Sequence, residues 1–300
     1  MKKISGTEVG MFNTCQRQHY YRFGLDIEPR FGNLGPALTR GIIGHMALDA
    51  YYTLMQKGYT VEQCREAAYD VITTKLIELV SYDPDDTAKM KIIAQLKVLI
   101  AGYVDHYKEE PFEVLQVEKF YSAKVSDDAE HNMRLDLLIQ FTSGQYRGDL
   151  CVVDSKFLYN FKTDREINMD SQLPRYIKTL KENGITVTKG MFNQLRYRQL
   201  KNPAPQDVYR RAMVKPTTTR IDKIWAEQEQ NVENIYRLKA LPVDEWSRKA
   251  TRNMGPFTCK YCPFASLCDK ELENTNIKNT LTMDYQPNTY GYVDLALEDA

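Results

Sequence analysis

Asp149-Leu150-Cys151-Val152-Val153-Asp154-Ser155-Lys156-Phe157 decides how this chain is read. The run Leu150–Val153 is apolar and rich in β formers, so it predicts a strand over 149–157. Side chains alternate along a strand, and Asp154 and Lys156 therefore share a face. Eighteen residues before Asp154, Leu135-Asp136-Leu137 lies within a second predicted strand, 132–141 (NMRLDLLIQF), and the segment TSGQYRG supplies the turn between the two. Two carboxylates converging on one sheet edge repel unless a divalent cation sits between them, and oxygen ligands select Mg2+ or Mn2+. Lys156 can then orient or deprotonate a water, or bind a scissile phosphate. Taken alone, a D-x-K tripeptide equally suits a solvated edge pair, so the surrounding sequence has to decide.

Working outward, residues 7–23 read as a short helix with Thr7 as N-cap, and 24–36, with Pro29, Gly32, Gly35 and Pro36, as a loop. Helices are predicted over 37–57, 60–80 and 86–109. Thr60 with Gln63 forms a capping box before the second, and Asp83-Pro84 turns the chain before the third. Residues 113–122 (EVLQVEKFYS) alternate as a strand. Beyond the D-x-K strand come a helix over 168–183, strands over 187–197 and 206–214, and a helix over 219–239. The order predicts one α/β unit with an N-terminal helical wrapping. Four segments are expected: a helical region 1–110 carrying Cys15 and His45, a core 111–240, a cysteine-rich segment 241–272, and an acidic, loosely ordered tail 273–300. No GxxxxGK[ST] motif occurs, which removes any reason to expect an ATP motor.

Apolar residues make up 43% of the 300 positions and charged residues 27%, which suits a soluble chain with a sizeable core. No apolar run approaches the roughly 20 residues that span a bilayer, and no apolar segment follows the N-terminal lysines. A cytoplasmic protein is expected. The 40 basic and 40 acidic residues cancel, but they are segregated. Between Arg196 and Lys223 stand eight basic residues (Arg196, Arg198, Lys201, Arg210, Arg211, Lys215, Arg220, Lys223) against two acids, and the last twenty residues hold four acids and no base. A basic stripe interleaved with Tyr197 and Tyr209 suits phosphates and stacked bases, although an ordinary solvated face has the same composition.

Six cysteines stand at 15, 64, 151, 259, 262 and 268. Cys259-x-x-Cys262 followed by Cys268 is ligand spacing, and Cys15 adds a fourth thiolate from the other end of the chain. In a cytosolic protein such clusters are more often metal ligands than disulfides. A four-cysteine zinc site is one reading, though zinc ribbons draw their pairs from nearby hairpins. Cys64, in a helix, and Cys151, in an apolar strand, read as core.

Further motifs bracket the D-x-K strand. Upstream is Gly41-Ile42-Ile43-Gly44-His45 on a helix, then Glu118 on a strand; downstream, Gln172-Leu173-Pro174-Arg175-Tyr176 puts Gln172 and Tyr176 at i, i+4 on one helical face. In this order the residues resemble the RecB-type branch of the PD-(D/E)XK nuclease superfamily, with Met133 where that family often has glycine. The cysteine arrangement is similar to that of AddB-type and CRISPR-associated RecB-like nucleases, where four cysteines hold a [4Fe–4S] cluster.

The resemblance implies a restriction-endonuclease-like α/β core with a mixed central sheet and an iron–sulfur cluster joining the termini through Cys15, Cys259, Cys262 and Cys268. It implies that His45, Asp136, Asp154 and the carbonyl of Phe157 ligate Mg2+ or Mn2+. Lys156 then corresponds to the catalytic lysine, with Glu118 beside it, while Gln172 and Tyr176 hold the DNA strand. Arg196, Arg198, Arg210 and Arg211 complete the expected DNA contacts. The function so implied is a DNA exonuclease acting on ends in recombination, repair or phage DNA processing, as an oligomer or alongside a single-strand annealing protein or recombinase. The rival readings are a non-catalytic DNA-end-binding module and an adaptor with a structural metal site on the four cysteines.

Overall fold

The computed structural model describes residues 2–30, 35–82, 87–127 and 129–288. The predicted Asp83-Pro84 turn and the last twelve residues of the acidic tail lie outside the described residues. In chain order the elements are β1 (Lys2–Ser5), α1 (Gly6–Thr14), α2 (Gln16–His19), a π-helical turn (Tyr20–Gly24) and β2 (Ile27–Pro29). Then come α3 (Pro36–Gln56), α4 (Val61–Tyr82), α5 (Thr87–His106), β3 (Phe112–Lys124), β4 (Ala129–Phe141) and β5 (Leu150–Leu158). They are followed by α6 (Asp164–Met169), α7 (Gln172–Glu182), β6 (Lys189–Arg196), α8 (Pro205–Val208), β7 (Tyr209–Val214) and α9 (Thr218–Lys239). The chain closes on α10 (Val243–Lys249), α11 (Pro256–Lys260), α12 (Ala265–Leu272), α13 (Lys278–Asp284) and β8 (Tyr285–Pro287).

These elements form two compact units, one from residues 36–227 and the other from residues 2–35 together with 228–300. In the first, β4 pairs antiparallel with both β3 and β5, β5 and β6 are parallel, and β6 and β7 are antiparallel. The result is a mixed α/β architecture with a mixed sheet, consistent with a restriction-endonuclease-like core. The parallel β5–β6 pair needs a crossover, which α6 and α7 supply. Leu173, Ile177 and Leu180 on α7 recur at helical spacing and bury against Val152 of β5 and Phe192 of β6. Each such side chain contributes roughly 1.5–3 kcal/mol by leaving water. On β5, Cys151 to Ser155 are all buried, as expected of a strand covered on both faces. The Thr60–Gln63 capping box is present: Thr60 N–H donates to Gln63 Oε1 at 3.0 Å, and Gln63 N–H to Thr60 Oγ1 at 3.3 Å.

The second unit departs most from expectation. The helix expected over 7–23 is broken at Cys15, whose extended backbone (φ −164°) ends α1. Ser5, not Thr7, caps α1, its hydroxyl accepting from Glu8 N–H at 3.1 Å. The loop expected over 24–36 contains β2, which pairs antiparallel with β8. Part of the expected loose tail is therefore ordered as α13 and β8. Tyr20, Tyr21, Trp246, Phe264, Leu267 and Tyr285 form this unit's core.

Candidate active site

β4 and β5 pair as neighbours, with Leu137 opposite Val153, and this brings Asp136 beside the Asp154–Lys156 segment. One Asp136 oxygen, Oδ2, accepts from the Ser155 backbone N–H at 2.7 Å and lies 3.3 Å from His45 Nδ1. His45 reaches it because α3 packs on β5 at Gly44, where a Cβ would run into the Phe157 ring. Gly41, by contrast, has open space at its Cβ position. Lys156 Nζ lies 2.7 Å from Asp154 Oδ2 and donates to Gln172 Oε1 at 2.8 Å. Gln172 Nε2 in turn donates to Asp154 Oδ1 at 2.6 Å and to Tyr176 Oη at 2.8 Å. The amide of Gln172 thus bridges both charged groups of the D-x-K segment, and Tyr176 holds that amide. Asp170 caps the arrangement by accepting from Gln172 N–H at 2.8 Å.

Glu118 falls between two β3–β4 pairs, Val117 with Leu137 and Lys119 with Leu135, and so lies across from Asp136. Its backbone is left-handed (φ 48°), a conformation costing a non-glycine residue roughly 1–3 kcal/mol. Arg134 Nε contacts its carboxylate at 2.6 Å. A small pocket here is lined by His45, Asp49, Glu118, Asp136 and Ser155. Sequence reasoning does not single out Asp49. It stands four residues after His45, hence on the same face of α3, and that spacing is the available signal.

The electrostatics follow from burying like charges together. Burial, and then the neighbouring Asp136, push the Asp154 carboxyl up to about 6 against the opposing pull of Lys156. Burial also penalises the Asp136 carboxylate, but the His45 hydrogen bond and charge, the Ser155 amide and Lys156 hold its pKa below the ordinary value. His45 and Lys156 are both raised, because the carboxylates outweigh the burial that disfavours their charge. Burial raises Glu118 to about 7, with Asp136 and Asp49 adding to it and Arg134 and His45 opposing. The donor set, two carboxylates and an imidazole, suits a hard divalent cation. The buried Asp154 Oδ2 has the Lys156 charge beside it but receives no aligned hydrogen bond. Among the described residues, no group of three or more His, Cys, Asp or Glu is arranged to hold a metal ion.

The four clustered cysteines all belong to the second unit, and all are free thiols. The segment Thr251-Arg252-Asn253 touches three of them. Asn253 N–H points at Cys15 Sγ (3.5 Å), Arg252 Nε at Cys268 Sγ (3.3 Å), and Cys259 Sγ approaches the Asn253 carbonyl at 4.0 Å. Burial, then the proximity of Cys15, Cys268 and Cys259, pushes the Cys262 thiol up to about 11. N–H groups thus face the sulfurs of Cys15 and Cys268, while the four thiols are not arranged as a group that could hold a metal ion. Cys64 and Cys151 are buried, as expected of core residues.

The basic stripe needs correction. Arg211 is not a surface residue. Its guanidinium meets the Glu110 carboxylate through Nη1 (2.5 Å) and Nη2 (2.6 Å) and donates to Tyr103 Oη, with side-chain exposures of only 13% and 5% for the ion pair. A charge so buried and neutralised has nothing left for phosphate. Tyr209, expected to stack on bases, is buried, and its hydroxyl donates to the Leu99 carbonyl at 2.9 Å. Arg210 pairs with Asp164 at 2.5 Å. Arg196 and Arg198 remain accessible, both donating to Asn160 Oδ1. No helix among the described residues is long and apolar enough to cross a membrane.

No curated protein matches the sequence. A solved structure titled "Crystal structure of SSO0001" is similar at 13% identity and a TM-score of 0.34, over 65% of this chain and 79% of that one, a likeness too weak to argue from. The family description of the PD-(D/E)XK nuclease superfamily, by contrast, matches residues 3–269, which include every motif residue in this site and all four clustered cysteines; the chain belongs to that superfamily.

Proposed function

We propose that this protein is a Mg2+- or Mn2+-dependent deoxyribonuclease that hydrolyses phosphodiester bonds at DNA ends, as an exonuclease in recombination, repair or phage DNA processing. The observation that carries the reading is the connected set His45–Asp136–Asp154–Lys156–Gln172 in a chain of the nuclease superfamily. His45, Asp136, Asp154 and the Phe157 carbonyl are the proposed ligands; Asp49 and Glu118 line a pocket together with His45 and Asp136. When bound, the metal neutralises charge on the phosphate and acidifies the attacking water. Lys156, fixed by Asp154 and Gln172, orients that water or holds a phosphate oxygen. Gln172 and Tyr176 keep the lysine and aspartate in place, and can contact the strand from the same helix face.

In the second unit, Cys15, Cys259, Cys262 and Cys268 are the proposed ligands of a [4Fe–4S] cluster. The Arg252 charge and the Asn253 amide are placed to stabilise thiolate charge.

End-labelled linear and closed circular DNA, incubated with Mg2+ or Mn2+, tests the activity. Linear DNA is expected to be degraded from its ends, with circles spared. Lys156→Ala is expected to lower the rate about 10²- to 10³-fold, by analogy with the loss of a preorganised electrostatic group. Cleavage at the unmodified rate in a preparation free of host nuclease rules the assignment out.

A further inference from the structure

Where β5 and β6 end, their following residues meet the start of α3 in a cluster of arginines and aromatic rings. Tyr159, Asn160 and Phe161 follow β5; Arg196 ends β6, and Tyr197 and Arg198 follow it; Arg40 stands in the first turns of α3. The Tyr197 N–H donates to the Leu158 carbonyl at 2.9 Å, which fixes the two strand ends side by side. The rings of Tyr159 and Tyr197 lie 5.8 Å apart at 62°. Arg40 sits 4.5 Å from the centre of the Tyr197 ring, Arg198 5.4 Å from that of Tyr159, and Arg196 5.4 Å from that of Phe161. Asn160 Oδ1 accepts from both Arg196 and Arg198, at 3.0 and 3.2 Å.

Three properties set this cluster apart from a solvated charged face. Tyr159 is 55% exposed although it is a large ring, so more than half of it is open to a ligand. Among the described residues no carboxylate pairs with Arg196 or Arg198, whose partners are the neutral oxygens of Asn160 and the Asp207 carbonyl, so their positive charge is uncancelled. The side chains are also held: Asn160 and the ring contacts fix guanidinium planes that would otherwise lose freedom on binding.

We infer that this cluster is a stacking platform for one strand of DNA with its bases unpaired. The inference rests on the nuclease reading for its choice of DNA and adds the strand state. A duplex hides its base faces, whereas an unpaired base can stack on Tyr159, and arginines with uncancelled charge take the neighbouring phosphates. The platform continues the elements that carry the candidate site. Tyr159 is three residues beyond Lys156 on β5, about 10 Å at the usual rise of a strand. Arg40 precedes His45 by five residues on α3, about 7.5 Å along a helix. A strand stacked at Tyr159 therefore lies within a few nucleotides of Asp154 and Lys156.

The test is equilibrium binding of fluorescein-labelled oligothymidylate, an abasic strand of equal length and a blunt duplex, in EDTA so that nothing is cleaved. The unmodified protein is expected to bind oligothymidylate about 5- to 150-fold more tightly than the abasic strand, the range for one stacked base. Tyr159→Ala should erase that preference while changing abasic affinity less than about 2-fold, since phosphate contacts remain. Arg198→Ala should weaken both strands and reduce the salt slope by about 0.7, one phosphate contact on single-stranded DNA. Equal binding of oligothymidylate and the abasic strand, an intact preference in Tyr159→Ala, or tighter binding of the blunt duplex overturns the platform. Because no cleavage is involved, the two readings fail separately. A protein that never cuts DNA yet loses base preference in Tyr159→Ala keeps the platform and loses the nuclease assignment; one that cuts DNA with no base preference does the reverse.

Discussion

The two compact units hold their chemistry-bearing residues in opposite ways. In the unit from 36–227, carboxylate, ammonium and amide groups meet one another at 2.6–2.8 Å, and they come from the adjacent strands β4 and β5 and from α7, in the crossover that follows β5. In the unit from 2–35 and 228–300, thiols from the two ends of the chain meet the segment Thr251–Asn253, and the contacts to sulfur run from 3.3 to 4.0 Å. Sulfhydryls are weak donors and weak acceptors, so such contacts hold little. The first site is organised by its own hydrogen bonds before any ligand arrives. On the proposed reading, the second depends on what binds its sulfurs. Changes in the first should therefore cost activity, and changes in the second should cost structure.

The largest effect expected is on rate. Asp154→Asn keeps the shape and the Gln172 hydrogen bond but removes a proposed ligand charge. Cleavage should fall about 10²- to 10³-fold. The melting temperature should stay within a few degrees, because the amide also relieves the Asp136–Asp154 repulsion that accompanies burial in raising the Asp154 pKa. A variant that is both inactive and unfolded breaks the comparison at its first half.

Cys15→Ala reverses the pattern. Loss of the one proposed ligand from the N-terminal end should drop iron from the proposed content of about four per chain to near zero. The unit built from both ends should then lose its cooperative melting transition, because metal binding to such a site is coupled to folding. Limited proteolysis should cut within both 1–35 and 240–288. Full iron and sulfide with unchanged melting in purified Cys15→Ala shows that the thiols are not a structural centre, and the contrast between the units disappears.

Arg211 sharpens the contrast within the first unit. Truncating it to Met leaves Glu110 buried without a cation, which typically costs about 3–5 kcal/mol. Arg198→Met, at an exposed position, should change stability by no more than about 0.5 kcal/mol. Urea melts of the two variants measure both. Equal stability for the two returns Arg211 to the surface stripe.

Why the sequence could say so much about one region and less about another follows from these same residues. The D-x-K strand was legible because period-2 alternation and a run of apolar β formers are local signals, and Asp136 followed because a short turn makes β4 and β5 neighbours. Asp49 was not found, since a carboxylate four residues after a histidine is common on helices and only packing shows that both face one pocket. The burial of Arg211 was hidden because Glu110 is 101 positions away and no local pattern joins them. The break of the first helix at Cys15 was hidden for a similar reason: the residues 7–23 keep helical spacing, and the contact to Asn253 spans 238 positions.

Gly41 and Gly44 give the smallest and sharpest test. Both belong to the motif before His45, both lie in the interior of α3, and neither has a positive φ, so backbone conformation does not require glycine at either position. Helix propensity alone therefore predicts that alanine stabilises both, by up to about 1 kcal/mol each. Packing separates them. At Gly41 a Cβ meets nothing, and Gly41→Ala should realise that gain. At Gly44 a Cβ collides with three carbons of the Phe157 ring, a side chain whose backbone is fixed in the centre of the sheet by pairing with Leu195. The ring or the helix has to move, at a typical overpacking cost of about 1–3 kcal/mol. Because His45 is the next residue and its 3.3 Å contact to Asp136 depends on how closely α3 lies on β5, Gly44→Ala should also lower cleavage, by more than its melting temperature alone would suggest. Thermal melts and cleavage rates of the two variants, measured side by side, decide the matter. If Gly44→Ala is as stable and as active as Gly41→Ala, the close approach of α3 to β5 is not what places His45, and the first unit is less preorganised than its hydrogen bonds imply.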